Sequence, residues 1–270
     1  MDQLSSIQHA STWNKFSASY EAYAEPFTSR FGSALARKLA VVPGERVLDI
    51  AAGTGALALE LARQGADGLA IDHSDAMTER IRERAASGGT RVRAETMDGQ
   101  QLALPDASFD AGISVFGMMM FPDHEAGLRE LARILRPGGR AGVAVWRRAE
   151  GAGPALLLHD ARVAVLSDQP GPLLPQGARD WCDPDRLTAS FQRAGLVDII
   201  VEELTLDWTF LSLDHFREHG AHMLGLMPAW ADARADERER LLAHMVAALG
   251  RSERLAIPST ALLATARKPS

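Results

Sequence analysis

The chain has 270 residues, 46% of them hydrophobic, and a formal net charge of -6 at pH 7. This length buries a full core and suits one elaborated domain, while the acidic balance excludes a general pull toward nucleic acid or anionic membranes, so a small molecule is the expected partner. The single cysteine, Cys182, excludes an intrachain disulfide and a thiolate metal cluster; no metal is expected, and with no signal sequence or membrane-spanning apolar run the expected location is the cytoplasm.

Residues 1–40 read as two helices, the second over 26–40 with Phe27, Phe31, Leu35 and Leu39 at steps of four. From there strands and helices alternate: strand 46–50, helix 56–64, strand 69–72, helix 76–86, strands 92–96 and 111–115, helix 125–135 and strand 140–146. A helix over 184–194 and strands over 197–206 and 260–266 follow. This alternation favours a parallel sheet with right-handed crossovers. Two segments exceed the plan, 151–183 and 212–258; the first carries the loop Gln169-Pro170-Gly171-Pro172-Leu173-Leu174-Pro175. The charged runs at 80–84 and 236–240 read as solvated helix faces.

The densest signal is Val47-Leu48-Asp49-Ile50-Ala51-Ala52-Gly53-Thr54-Gly55, a buried-strand pattern with one acid that breaks into glycines before a helix. Without Cβ atoms, Gly53 and Gly55 let a ligand lie against the main chain beside a helix start. A dinucleotide site fits the glycines too, since Ala58 satisfies the G-x-G-x-x-A variant. The strands that follow decide between them: 68–72 ends in Asp72 and 92–98 ends in Asp98, so three successive strands deliver a carboxylate to one edge.

Together with Ile71-Asp72-His73-Ser74, Met97-Asp98-Gly99, Leu104-Pro105-Asp106-Ala107-Ser108-Phe109-Asp110 and Leu135-Arg136-Pro137-Gly138-Gly139-Arg140, this segment resembles the class I S-adenosylmethionine-dependent methyltransferases. The likeness spans 41–146, and within the family it is similar to the small-molecule branch that includes ubiquinone and menaquinone biosynthesis enzymes. The resemblance implies a Rossmann-like α/β fold: a seven-stranded, mostly parallel sheet with helices on both faces, its last strand antiparallel between the fifth and sixth. It also implies a helical lid over 1–40, a cofactor-binding core over 41–150, a cap insertion over 151–183, and a C-terminal part of the core over 184–270 with a helical insertion at 212–258.

On that likeness S-adenosylmethionine is the cofactor. Asp49 organises the loop and reaches the methionine ammonium through a water; Ala51, Gly53, Thr54 and Gly55 admit the methionine and ribose. Asp72 accepts from both ribose hydroxyls, with His73 beside it, and Asp98 receives the adenine amino group with the Gly99 amide nearby. Met77, Met97 and Val115 supply apolar contact around the ligand, although methionines at such places also serve as core filler. Strand-end acids have a plainer role as helix caps.

Methyl transfer from a sulfonium is an in-line displacement that needs chiefly alignment and exclusion of water. A base is needed only where the acceptor must lose a proton, and histidine suits that role. His124 is the candidate base, following the Phe116-Gly117-Met118-Met119-Met120-Phe121-Pro122-Asp123 loop; the competing reading caps a helix with Asp123 and turns His124 to solvent. His159, His215, His219 and His222 lie on the cap, where they enter the chamber or sit on its surface. Trp13, Tyr20 and Tyr23 lie in the N-terminal helices, which either fold over the methionine end or pack on the core; the tyrosine hydroxyls are candidates for the cofactor or acceptor. Phe116, Met119 and Met120 form an apolar wall suited to a planar acceptor.

The expected acceptor is therefore a small, aromatic or partly apolar metabolite methylated on oxygen or nitrogen. Carbon methylation of a quinone-like ring and a cofactor-binding protein without transfer stay open. The Asn/Asp-Pro-Pro-Tyr/Phe sequence expected for base-amino methylation is missing, and nucleic acid is not an expected substrate. The lid and cap either close one chamber or meet a second copy in a homodimer.

Overall fold

In a computed structural model, every residue is described except 1–3, 168–170, 226 and 252–253; Gln169 and Pro170 of the proline-rich loop thus lie outside the described residues. The strands are β1 Arg46–Ile50, β2 Asp67–Asp72, β3 Val92–Thr96, β4 Phe109–Val115, β5 Leu135–Trp146, β6 Val197–Thr209 and β7 Ala256–Arg267. They form one seven-stranded sheet in the order β3-β2-β1-β4-β5-β7-β6. The pairs β1–β2, β1–β4, β2–β3 and β4–β5 are parallel, and β7 runs antiparallel between β5 and β6.

Helices α1 Ala10–Ser19 and α2 Glu25–Leu39 precede the sheet, joined by a π-helical turn at Tyr20–Ala24. The crossovers are α3 Ala56–Arg63, α4 Asp75–Ser87 and α5 His124–Ile134. Residues 151–183 hold α6 Pro154–Val165 and α7 Gln176–Trp181, α8 Pro184–Arg193 follows, and residues 212–258 hold α9 Leu213–Leu224, α10 Pro228–Ala231 and α11 Ala235–Gly250.

Alternation along the strands puts helices on both faces. Gly112 on β4 packs beneath Leu131 of α5, while Gly142 on β5, paired with Ile113, packs beneath Leu35 and Leu39 of α2. A side chain at either glycine would collide with those leucines, so the residues are small to let helix and sheet close up. A separate cluster of Ala58, Ile81, Ala70 and Ala94 seals α3 and α4 onto β2 and β3.

Five strands are longer than their sequence patterns, β2 and β4 by two residues at their starts and β5, β6 and β7 by more in all. β5 begins at Leu135 because that residue pairs with Phe109 across a register shift. The β6–β7 pairing continues out to Thr209 and Ala256, beyond the sheet core, and carries Trp208 back over α2, where its ring stacks on Phe27 at 4.3 Å. β1 has β2 on one side and β4 on the other, so the chain reverses its order there and leaves a crevice at the carboxyl ends of the strands. No helix among the described residues is long and apolar enough to cross a membrane.

Candidate functional site

The loop after β1 takes a shape that small residues alone accommodate well. Ala51, Gly53 and Gly55 have φ of 54°, 57° and 84°, in the left-handed region that disfavours a Cβ. A Cβ on Gly53 would stand 3.1 Å from Cε1 of Tyr20, and one on Gly55 2.8 Å from Cγ1 of Ile81. The loop is therefore compressed between the π-helical turn and α4.

Asp72 fastens this loop to the second strand. Its Oδ2 accepts the Gly53 amide at 3.0 Å and its Oδ1 the Ser74 amide at 2.9 Å. His73 Nδ1 lies 3.3 Å from Oδ1, and hydrogen bonding to Asp72 raises the imidazole above its ordinary pKa. Asp72 is buried, yet a carboxylate offers about four lone-pair positions, so acceptor capacity is left for a ligand. Asp98, two residues past β3, is exposed, and its Oδ1 accepts from the backbone and side-chain nitrogens of Gln100, both at 2.9 Å.

Asp49 is buried behind the loop, where its Oδ2 accepts the Ala58 amide at 3.2 Å. Loss of solvent, with the nearby Asp72 charge adding to it, pushes its pKa up to about 7. It borders a small void of about 30 Å³ shared with Tyr20, Glu25, Thr28 and Ala51. Burial likewise pushes Tyr20 up to about 12, its hydroxyl lying 3.2 Å from Thr28 Oγ1.

A cavity of about 770 Å³ opens at the strand ends, within the size range of small-molecule sites. One half is lined by Asp72, His73, Met77, Met97, Asp98 and Gly99, together with Ala51, Gly53, Val115 and Tyr20. The other half is mainly apolar: Phe116, Met119 and Met120 line it, joined by Trp146, Leu158, Trp208, Leu224 and Met227, while Trp13, also in the lining, stands edge-on to Tyr20 at 6.0 Å on the cofactor side. Phe116 and Trp146 stack at 3.6 Å and 11°, making a flat aromatic wall. The glycine cradle and the acids on β2 and after β3 fit an adenosyl ligand; the apolar half fits a second, flatter molecule.

Several expected site residues lie elsewhere. Thr54 and Gly55 sit behind the loop, where the Thr54 hydroxyl donates to buried Glu25. Asp49 touches the small void and not the main cavity. Tyr23 and His222 stack on each other, ring centres 5.3 Å apart, and neither lines the cavity.

His124 is corrected on both readings. Asp123 does cap α5, its Oδ1 accepting the Ala126 amide at 2.7 Å. The histidine ring, however, is buried edge-on against Trp181 at 4.8 Å, because α7 folds over the start of α5. Burial lowers its pKa, its Nδ1 has no hydrogen-bond partner, and it does not line the cavity.

The polar groups of the acceptor half come instead from Glu150, after β5, and from His159 and Arg162 on α6. Of the four cap histidines, His159 alone lines the chamber among the described residues. Its signal was present as Ala155, Leu158, His159 and Arg162, the spacing of one helical face. Trp208 gave none, because its place depends on how far the β6–β7 hairpin extends.

Residues 47–139 match the family model described as a methyltransferase domain. An uncharacterized protein of Mycobacterium tuberculosis is 36% identical over 145 residues, 54% of this chain and 52% of that one, so the chain spans about half the length of that relative. The demethylmenaquinone methyltransferase of Corynebacterium efficiens is 34% identical over 182 residues, 62% of this chain and 74% of that one. Among solved structures, the YcgJ protein of Bacillus subtilis shares the fold at a TM-score of 0.61 and 19% identity, over 88% of this chain and 98% of that one. With that coverage of the corynebacterial enzyme and with Asp72 and Asp98 in one cavity, the chain belongs to the S-adenosylmethionine-dependent methyltransferases.

Proposed function

We propose that this chain transfers a methyl group from S-adenosylmethionine to a small aromatic or partly apolar metabolite, at oxygen, at nitrogen or at a ring carbon of a quinol-like compound. The observation that carries this reading is one continuous cavity whose two halves differ in kind, acids and a glycine loop at one end and stacked aromatics with methionines at the other. The similarity to a demethylmenaquinone methyltransferase favours a flat bicyclic acceptor.

In this reading Asp72 and Asp98 hold the adenosyl end, and Asp49 acts on the methionine ammonium through the small void beside Ala51, which has room for one water. When bound, S-adenosylmethionine supplies a methyl on an already activated sulfonium. The chain's residues then have two tasks: to align the acceptor on the Phe116–Trp146 wall and to exclude water. The N-terminal helices serve as the lid, with Tyr20 lying over Gly53.

Calorimetry with S-adenosylmethionine, followed by incubation with the radiolabelled compound and a panel of phenols, quinols, arylamines and carboxylates, tests the proposal. Saturable heat and label on at least one flat aromatic acceptor are expected. Heat without label on any acceptor would overturn transfer, and no heat would overturn the site itself.

A further inference from the structure

The acceptor half of the cavity holds a carboxylate and an imidazole that face each other. His159 Nε2 lies 3.9 Å from Glu150 Oε1, and the second oxygen of Glu150 lies 3.4 Å from Arg148 Nε. Glu150 reaches the chamber from the loop after β5, and His159 from the α6 face that also presents Ala155 and Leu158. Both side chains are part-buried, at 25% and 35% exposure, and that exposure includes the chamber they line.

The pairing has a chemical use. A carboxylate about 4 Å from an imidazole orients the ring and faces the positive charge that the ring would carry after taking a proton. Trp146, Phe116 and Leu158 line the same chamber, with Arg162 one turn further along α6, so an acceptor stacked on the aromatic wall shares one enclosure with the imidazole. Burial removes His124 from this role, as described above.

We propose that His159 is the base that removes the hydroxyl proton of a phenolic or enolic acceptor, with Glu150 as the positioning residue that stabilises the resulting imidazolium. This rests on the methyl-transfer reading above. The O–H bond breaks and its proton passes to the imidazole. The electron pair left on oxygen, or shared with the adjacent ring carbon, forms the new bond to the methyl carbon as the carbon–sulfur pair withdraws to sulfur. For carbon attack, the proton on the methylated ring carbon returns to the oxygen. One proton is released in either case, and His159 holds it.

The test uses the full chain and a matched pair of probes, 1-naphthol, which is neutral at pH 7.5, and 4-nitro-1-naphthol, which is already ionised there. His159→Gln should lower the turnover of 1-naphthol about 100-fold, in the range typical of general-base catalysis, and remove the acidic limb of the rate–pH profile. With 4-nitro-1-naphthol the loss should shrink to less than fivefold. Glu150→Gln, which leaves His159 in place without its charged neighbour, should lower 1-naphthol turnover about tenfold and leave 4-nitro-1-naphthol within twofold of wild type, whereas equal losses on the two probes would mean that Glu150 does not act through the base.

A second readout needs no turnover: in the presence of S-adenosylhomocysteine, the absorbance midpoint for ionisation of bound 4-nitro-1-naphthol should rise by at least one pH unit in His159→Gln. Equal losses on both probes, or an unmoved midpoint, overturn the base. Calorimetry with S-adenosylmethionine separates the two levels of the argument. Intact heat with wild-type turnover of neither naphthol overturns the acceptor class and the base with it, whereas absent heat overturns the methyltransferase reading.

Discussion

Asp72 accepts the amide of Gly53 at 3.0 Å, so the carboxylate expected to bind a ligand also shapes the loop on which that ligand would lie. Because Oδ1 is engaged by Ser74 at the same time, one side chain fixes the end of β2, the glycine loop and the start of α4. Removing it takes away ligand contacts and pre-organisation together.

Asp72→Ala is accordingly expected to weaken S-adenosylmethionine binding by at least about 100-fold, the equivalent of two charge-assisted hydrogen bonds at the low end of their range. Asp98→Ala, where the exposed carboxylate bonds only to the half-buried Gln100 among the described residues, should weaken binding without loosening the loop. Calorimetry together with thermal unfolding checks this: Asp72→Ala lowers both affinity and melting temperature, Asp98→Ala affinity alone. Equal melting temperatures for the two variants would contradict the dual role of Asp72.

The N-terminal helices are held to the core by charge. Arg80 bonds Glu21 through Nε at 2.5 Å and Nη2 at 2.9 Å, and Arg84 Nη1 reaches Glu25 Oε2 at 2.8 Å and the Thr54 carbonyl at 2.7 Å. Glu25 is buried, so Arg84→Met leaves its charge in the core with the Thr54 hydroxyl but without the guanidinium. A loss of about 2–3 kcal/mol is expected in urea unfolding, toward the lower end for broken buried pairs because Arg84 is partly solvated. Faster amide exchange over residues 10–24 should accompany it. Stability within about 0.5 kcal/mol of wild type, the range of an ordinary surface change, would show that the latch contributes little.

The nucleotide half of the site was legible because its signals are local: an acid at a strand end, glycines in the next turn, and a helix start. β1 and β3 have the ends their residues forecast, since β1 is a short apolar run and β3 a short alternating one that follows the turn at Gly88-Gly89. The acceptor half was less legible. Glu150, His159 and Trp208 line one chamber only because α6 packs against α9, α10 and α11 while the β6–β7 pairing runs on past the sheet core, a tertiary event that periodicity does not encode. His124 was misread for the same reason: the cap at Asp123 is local, but the burial of the ring comes from α7, fifty residues on.

His124 makes a stability claim of definite sign. Burial lowers its pKa, so the folded chain takes up this proton less readily than the unfolded chain, whose histidine titrates near 6.5. The stabilising contribution is complete above that value and is lost as pH falls through the folded pKa. His124→Phe, which keeps a ring against Trp181, should flatten the decline in stability between pH 7 and pH 5 while leaving methyl transfer within about twofold of wild type. Urea titrations at the two pH values and a rate assay decide it, and a rate loss above tenfold would return His124 to the chemistry.

Asp49 has the opposite sign and couples to the ligand. Its pKa stands at about 7 in the folded chain and near 3.9 when unfolded, so the folded state holds an extra proton between those values. Stability of the ligand-free chain therefore falls as pH rises through that window and levels off above it. A cationic ligand beside Asp49 favours the ionised form, so binding at pH 6 should release a proton, and affinity should rise about eightfold from pH 6 to pH 7.5 as the ionised fraction grows. His73, whose pKa is also raised by its hydrogen bond to Asp72, likewise binds its proton more tightly in the folded chain, and comparison with Asp49→Asn isolates the Asp49 share. Calorimetry at pH 6 in buffers of different ionisation heat counts the protons: the wild type should release more than the Asn variant, and equal counts would mean that Asp49 does not sense the ligand.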